Sequence, residues 1–130
     1  MRIKLTSLVV EDQSRALAFY TEVLGFRQKH DIPVGGDFRW ITVVSPERDD
    51  VELSLEPNVN PAAKAYQSAM FAQGIPLAAF EVDDVDAEYA RLVERGVVFS
   101  RPPRDAGPVR LALFSDTVGN LIQIYTPPAA

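Results

Sequence analysis

The chain has 130 residues, of which 47% are hydrophobic and 24% charged, a balance typical of a folded globular protein. A formal charge of −5 with no basic stripe argues against nucleic-acid binding. The longest apolar run, residues 16–20, is too short for a membrane span or a signal peptide. We therefore expect a cytoplasmic protein with no membrane or nucleic-acid partner. The absence of cysteine fits this location and excludes disulfides and thiolate ligands.

Residues 1–56 fit a βαβββ module. Asp12 is a candidate helix N-cap, and Gly25 is a candidate helix stop after apolar residues at helical spacing. In the last strand candidate Val51, Leu53 and Leu55 alternate with Glu52, Ser54 and Glu56, which predicts one apolar and one polar face. The strand candidates of this module are residues 2–10, 26–32, 38–44 and 51–56.

Residues 57–75 predict a helical connector, because Asn60-Pro61 is a typical helix start and Gly74 a typical stop. We expect this helix to pack through one face, formed by Ala62, Tyr66, Ala69, Met70 and Gln73. Residues 76–127 then repeat the first module, with Asp84 as N-cap and Gly96 as helix stop. The strand candidates of the second module are residues 76–82, 97–100, 109–115 and 121–126.

The two modules match at nearly constant spacing, since Asp84 follows Asp12 by 72 positions and Gly96 follows Gly25 by 71. At the same spacing, Gln123 in the last strand corresponds to Glu52. Polar residues at equivalent places predict a shared, lined cavity, because a carboxylate buried without a partner is costly. The alternative is that both side chains simply face solvent.

Two motifs carry a family resemblance. The segment Val10-Glu11-Asp12 leading to Leu24-Gly25-Phe26, and the ending Asp116-Thr117-Val118-Gly119-Asn120 before Leu121-Ile122-Gln123-Ile124, resemble the vicinal oxygen chelate superfamily. That superfamily includes glyoxalase I, bleomycin-resistance proteins and extradiol dioxygenases. The resemblance implies a single α+β domain over residues 1–130, in which two tandem βαβββ modules form a curved mixed sheet around a cavity.

The resemblance also implies where a divalent metal would bind in related enzymes. Its four positions fall here on Leu5, Glu52, Leu77 and Gln123. The first and third are commonly histidine in metal-binding relatives, and neither predicted strand contains a histidine. Since leucine cannot coordinate a metal, and zinc sites want three or four N, O or S ligands, we expect neither a metal nor another cofactor.

Further candidates lie on the same strands. Trp40 either stacks on a flat ligand or fills the core. Arg110 binds a carboxylate if it faces the cavity, although solvent exposure is favoured. Tyr125 and Ser7 share the faces of Gln123 and Leu5 and offer hydroxyl groups to a ligand. His30, the only histidine, is a possible acid or base but is better explained as an exposed turn residue.

Two functions follow from these patterns. In the first, the ligand-binding residues (Leu5, Ser7, Trp40, Glu52, Leu77, Arg110, Gln123 and Tyr125) bind an unidentified small organic ligand without a metal, as bleomycin-resistance relatives do. In the second, a glyoxalase-like lyase, isomerase or dioxygenase uses Glu52 as its catalytic residue, with an atypical metal site or with acid–base chemistry in an apolar pocket. A partner-regulating protein with a vestigial cavity is a third possibility. The resemblance implies a homodimer.

Overall fold

The computed structural model describes residues 1–128 and divides the chain into two compact units, Met1–Tyr66 and Gln67–Ala130. Each unit contains a four-stranded mixed sheet and a helix that follows its first strand. This arrangement confirms the α+β class and the two βαβββ modules. Across residues 1–128, no helix combines the length and the apolar character needed to cross a membrane.

The first unit has its strands in the order β1-β4-β3-β2, with β1 and β4 parallel and the other pairs antiparallel. Its strands are β1 (Leu5–Val10), β2 (Arg27–Gly35), β3 (Phe38–Ser45) and β4 (Arg48–Pro57). Helix α1 (Gln13–Ala18) continues into a π-helical turn (Phe19–Val23). Asp12 caps α1 by accepting a hydrogen bond from the Arg15 amide, as predicted.

One face of this sheet is covered by α1 and the π-helical turn. Ala16 and Tyr20 are fully buried, as are Val10 and Leu55 of the sheet. Because side chains alternate along a strand, burial of Leu55 directs its neighbours Ser54 and Glu56 to the opposite face. The helix therefore determines which side of the sheet is available for a ligand.

The second unit repeats this plan with the strand order β5-β8-β7-β6, and β5 and β8 are parallel. Its strands are β5 (Ala78–Glu81), β6 (Phe99–Ala106), β7 (Val109–Ser115) and β8 (Leu121–Thr126). Helix α3 (Val85–Glu94) is capped by Asp84, which accepts from the Ala87 amide. Val85 and Leu92 are the buried residues of α3, and Gly96 follows the helix at φ 85°, a conformation that favours glycine.

The connector helix α2 (Pro61–Ala72) crosses the division between the units. Its predicted inner face is wrong, because Tyr66 is 56% exposed and Gln67 is the buried residue of the helix. The Gln67 amide donates to the Asn120 side chain and to the Val118 carbonyl. Asp116 in turn accepts from the Asn120 backbone and side chain. The motif from Asp116 to Asn120 is thus a buried structural turn that holds α2, and polar bonds replace the expected apolar stripe.

Two strands extend well beyond their predicted ends. β2 continues past Ile32 through Pro33, and β6, predicted over residues 97–100, continues through Pro102 and Pro103. Both are edge strands, so a proline that lacks an N–H removes no bond from a sheet interior. The edge position therefore accommodates the prolines.

Candidate functional site

The face of the first sheet that lies opposite α1 carries a row of polar side chains. Leu5 pairs with Glu52 and Ser7 with Ser54 across β1 and β4, while Thr42 of β3 pairs with Ser54 on its other side. Residues paired in this way point to the same face. We call this surface the Glu52 face. It is formed by Glu52, Ser54 and Glu56 of β4 and by the residues of β1, β2 and β3 that point to the same side.

Glu52 lies at the centre of a set of polar contacts. The Thr42 hydroxyl donates to Glu52 Oε1 at 2.7 Å, and Thr42 itself is fully buried. His30 Nε2 is 3.4 Å from the same oxygen, and Lys29 Nζ is 4.0 Å from Glu52 Oε2. The Glu52 side chain is 20% exposed, so a ligand can reach it. The immediate neighbours of the Glu52 carboxylate are therefore polar: a hydroxyl, an imidazole and an ammonium group.

His30 reaches this carboxylate because β2 is irregular. Gln28 pairs with Val43 and His30 with Thr42, so Lys29 is the extra residue of a β-bulge. A bulge changes which face the following side chains point to, and bulges are frequent beside functional sites. The His30 ring stacks on Trp40 with centroids 4.4 Å apart and planes 14° apart. The preferred interpretation of His30 as an exposed turn residue is wrong, since it is a half-buried strand residue.

Glu56 forms the second polar contact set on the Glu52 face. Its Oε1 accepts hydrogen bonds from the Ser7 hydroxyl at 3.1 Å and from the Ser54 hydroxyl at 3.2 Å. Ser54 is 2% exposed, whereas Glu56 is exposed. Two hydroxyl groups therefore fix the position of a carboxylate that solvent or a ligand can reach.

The residues around Glu52 do not fit a divalent metal. Its partner across the strands is Leu5, which has no donor atom and is 51% exposed. Within residues 1–128, no three His, Cys, Asp or Glu side chains come together as a metal-binding group. A zinc-type site needs three or four donors, whereas the Glu52 carboxylate and the neighbouring His30 imidazole supply two.

In the second unit, Gln123 and Tyr125 share one face of the sheet, and Leu77 lies just before β5. Gln123 pairs with Ala79 on one side and with Leu113 on the other, and Tyr125 pairs with Glu81. The Leu77 amide donates to the Leu121 carbonyl, which places Leu77 two residues before the partner of Gln123. By strand pairing, the counterpart of Leu5 is therefore Ala79, and this position also lacks a metal-binding atom.

Arg110 lies on the other face of this sheet, so the expectation that it shares a ligand site with Gln123 is wrong. It alternates with Leu111, the partner of Tyr125, and its guanidinium reaches helix α3. Arg110 Nε is 2.7 Å from Asp86 Oδ2, and Nη1 is 3.0 Å from Asp105 Oδ1. The hydrogen bond from Arg110 lowers the pKa of the Asp86 carboxyl. Asp86 and Asp105 thus already pair with the guanidinium that a ligand carboxylate was expected to meet.

The structure thus brings Leu5, Ser7, Trp40 and Glu52 together on the Glu52 face of the first unit. In the second unit it brings Gln123 and Tyr125 together, with Leu77 just before β5. Sequence inspection did not name Thr42, Ser54 or Glu56 as site residues, and for His30 it favoured an exposed turn over an acid or base role. The alternation of β4 already assigned Ser54 and Glu56 to the side of Glu52. His30 gave no such signal, because a bulge cannot be recognised from alternation alone.

Comparison with known proteins places this geometry in a family. The model of the Glyoxalase/Bleomycin resistance protein/Dioxygenase superfamily matches residues 2–124. The uncharacterized protein YurT of Bacillus subtilis (strain 168) is 54% identical over 125 residues, covering 95% of this chain and 98% of YurT. The crystal structure of UcmS2 is 29% identical with a TM-score of 0.82, covering 96% of this chain and 97% of that one. TnmS3, an antibiotic binding protein from Streptomyces sp. CB03234, is 34% identical with a TM-score of 0.77, covering 98% and 96% of the two chains.

Proposed function

The chain belongs to the Glyoxalase/Bleomycin resistance protein/Dioxygenase superfamily, and on this premise we propose that it binds a small organic ligand on the Glu52 face without a metal ion. The observation that carries the proposal is the Glu52 carboxylate, held by Thr42 and flanked by the stacked His30 and Trp40 rings. The description of TnmS3 as an antibiotic binding protein supports this use of the fold.

The surroundings of Glu52 suit a ligand that is partly apolar. Leu5, Ile32 and Phe38 are 51%, 45% and 41% exposed, and pairing or alternation places each on the Glu52 face. Small-molecule sites typically combine an apolar surface with a few polar groups that fix the ligand's orientation. Exposed apolar side chains around an anchored carboxylate provide this combination.

A thermal-shift screen of a small-molecule library tests the proposal. A ligand at 100 times its Kd should stabilise the protein by about 2.7 kcal/mol, because it binds the folded state. Glu52→Gln should abolish most of the shift while leaving the unliganded melting temperature nearly unchanged. The control is Glu47→Gln, which removes the same charge from an exposed turn residue. An unchanged set of ligands in Glu52→Gln would remove Glu52 from the site.

A second candidate function is metal-independent acid–base catalysis by Glu52, in the manner of a glyoxalase-like enzyme. The observation that favours it is the 3.4 Å separation between His30 Nε2 and Glu52 Oε1, because paired titratable groups can pass a proton. Incubating each screened ligand with the protein and analysing it by mass spectrometry and NMR distinguishes the two functions. Recovery of the unaltered ligand supports binding, and catalytic conversion supports the enzyme.

The chain is also proposed to act as a cytoplasmic homodimer, as the family resemblance implies. Light scattering of the purified protein should give twice the mass of one chain. A monomer at micromolar concentration would contradict the dimer and leave ligand binding by the Glu52 face unaffected, since all its side chains come from one unit.

A further inference from the structure

The hydroxyl groups of the Glu52 face donate their hydrogen bonds to carboxylates. Ser7 and Ser54 donate to Glu56, and Thr42 donates to Glu52. Each hydroxyl has one hydrogen to donate and keeps lone pairs that accept. Thr42 and Ser54 are buried, so the polar groups that a ligand can reach at the Glu56 end are the Ser7 hydroxyl, whose hydrogen is already donated, and the Glu56 carboxylate. Both accept hydrogen bonds, so the ligand must bring the donor to this end.

The charges of the face are unevenly distributed. Lys29 stays near Glu52, because its Nζ is 4.0 Å from Glu52 Oε2 and also donates to the Asp49 carbonyl at 2.9 Å. Glu56 contacts hydroxyl groups instead, and no ion pair to it forms among residues 1–128. The Glu56 end of the face is therefore the end that can accept a positive charge.

An aromatic ring flanks the same end. The pairing of β3 with β4 runs to Thr42 and Ser54, and past this pair the chains lead to Trp40 on β3 and to Glu56 on β4. There the buried Gln13 side chain links the two strands by donating to the Arg39 and Leu55 carbonyls. Trp40 on β3 and Glu56 on β4 therefore lie at the point where the Gln13 side chain, and not direct pairing, links the two strands. Tryptophan is the aromatic side chain that attracts cations most strongly.

We propose that the Glu52 face selects aromatic ligands that carry a cationic nitrogen, with the nitrogen at Glu56 and the ring against Trp40. The inference rests on the proposed function and adds the ligand's chemical class. Glu56 becomes the specificity-determining residue of the site. Anionic ligands are disfavoured at this end, because they would face the Glu56 carboxylate beside a Ser7 hydroxyl whose hydrogen is already donated.

Isothermal titration calorimetry with three naphthalene probes tests the inference. The probes share one ring system and differ in charge: 1-naphthylmethylammonium, uncharged 1-naphthalenemethanol and anionic 1-naphthoate. We expect the ammonium to bind about tenfold more tightly than the alcohol, as a partly exposed ion pair with a cation–π contact would give, and the carboxylate to bind most weakly. Raising the salt concentration should weaken binding of the ammonium and leave that of the alcohol unchanged.

Variants locate the preference. Glu56→Gln should bring the ammonium and the alcohol to equal affinity, whereas the matched charge variant Glu47→Gln should keep the preference. Trp40→Leu should weaken both probes. Equal affinity in the unmodified protein, a preference that survives Glu56→Gln, or failure of all three probes to bind would overturn the inference. Binding of the alcohol that is equal to the ammonium but sensitive to Trp40→Leu would overturn only the charge preference and support the proposed function.

Discussion

The buried side-chain amide of Gln13 links β3 and β4 by hydrogen bonds, as backbone pairing does elsewhere in the sheet. It donates to the Arg39 carbonyl at 2.6 Å and to the Leu55 carbonyl at 2.8 Å, and its oxygen accepts from the Arg39 amide at 3.1 Å. Three backbone groups of β3 and β4 are thereby satisfied from the first residue of α1. A polar residue at a helix start gives no sequence signal for this role, because exposed glutamines are common there.

Replacing Gln13 by alanine should destabilise the protein by about 2–4 kcal/mol. A buried polar group left without a partner costs about 1–3 kcal/mol, and water can replace part of the three lost bonds. Urea denaturation followed by circular dichroism measures the change. Gln73→Ala, which truncates an exposed glutamine, is the control and should stay within about 0.5 kcal/mol of the parent. Equal stability of the two variants would show that the Gln13 bridge contributes nothing.

Asp50 provides a pH-dependent prediction at the same scale. The hydrogen bonds from Arg48, at 2.8 and 2.9 Å, lower the pKa of the Asp50 carboxyl from 3.8 to about 2. Because the folded-state pKa is depressed, the pair contributes stability above the unfolded pKa of about 4, and this contribution is lost as pH falls through 2. NMR titration should give a midpoint near 2 for Asp50. Arg48→Gln should move it towards 4, while Arg27→Gln, which affects the neighbouring Asp49, should leave it in place.

At the scale of elements, the two helix caps repeat in geometry as well as in sequence. Asp12 accepts from Arg15 N at 2.9 Å, and Asp84 accepts from Ala87 N at 3.1 Å. Asp12→Ala and Asp84→Ala should each lower the free energy of unfolding by about 1 kcal/mol, the usual effect of losing an N-cap. Thermal denaturation measures the loss. Asp83→Ala removes an adjacent exposed carboxylate, so a similar loss there would mean that charge, not capping, is responsible.

The elements also show what local sequence determines. β7 and β8 have the predicted bounds, and both modules start and stop their helices at the predicted aspartate and glycine. These features depend on local chemistry, namely alternation, caps and left-handed glycines. The ends of β2 and β6 depend on position in the sheet, because only an edge strand tolerates their prolines. Position within a sheet is a tertiary property that local patterns do not contain.

The candidate site divides in the same way. Alternation along β4 was sufficient to place Glu52, and it also assigns Glu56 to the same face. The contact of His30 with Glu52 depends on the extra residue Lys29, and the isolation of Arg110 depends on Asp86 from a neighbouring helix. The first depends on a β-bulge and the second on a contact between residues far apart in sequence. Sequence patterns predicted the face, whereas packing determined which side chains meet on it.

For the whole molecule, the duplicated module makes a prediction about metal content. The residue across from Glu52 is Leu5 and the residue across from Gln123 is Ala79, so both copies pair one oxygen-bearing side chain with an aliphatic one. Purified protein dialysed against zinc, nickel, iron or manganese should retain well below one equivalent. Glu52 with its neighbour His30 supplies two donors and Gln123 supplies one, fewer than the three or four that such ions need. Elemental analysis measures this. Stoichiometric retention with micromolar affinity or better, lost in Glu52→Gln, would overturn the metal-free proposal.

The stacking of His30 on Trp40 has a spectroscopic consequence. The chain contains one histidine and one tryptophan, and their rings lie 4.4 Å apart beside the proposed ligand position. Indole emission therefore arises from a single position in the structure, where the imidazole ring stacks on the emitting ring. Any occupant that separates the two rings or inserts against them should alter the intensity and wavelength of the emission. The protein carries its own fluorescent reporter of occupancy, and it needs no label to be titrated.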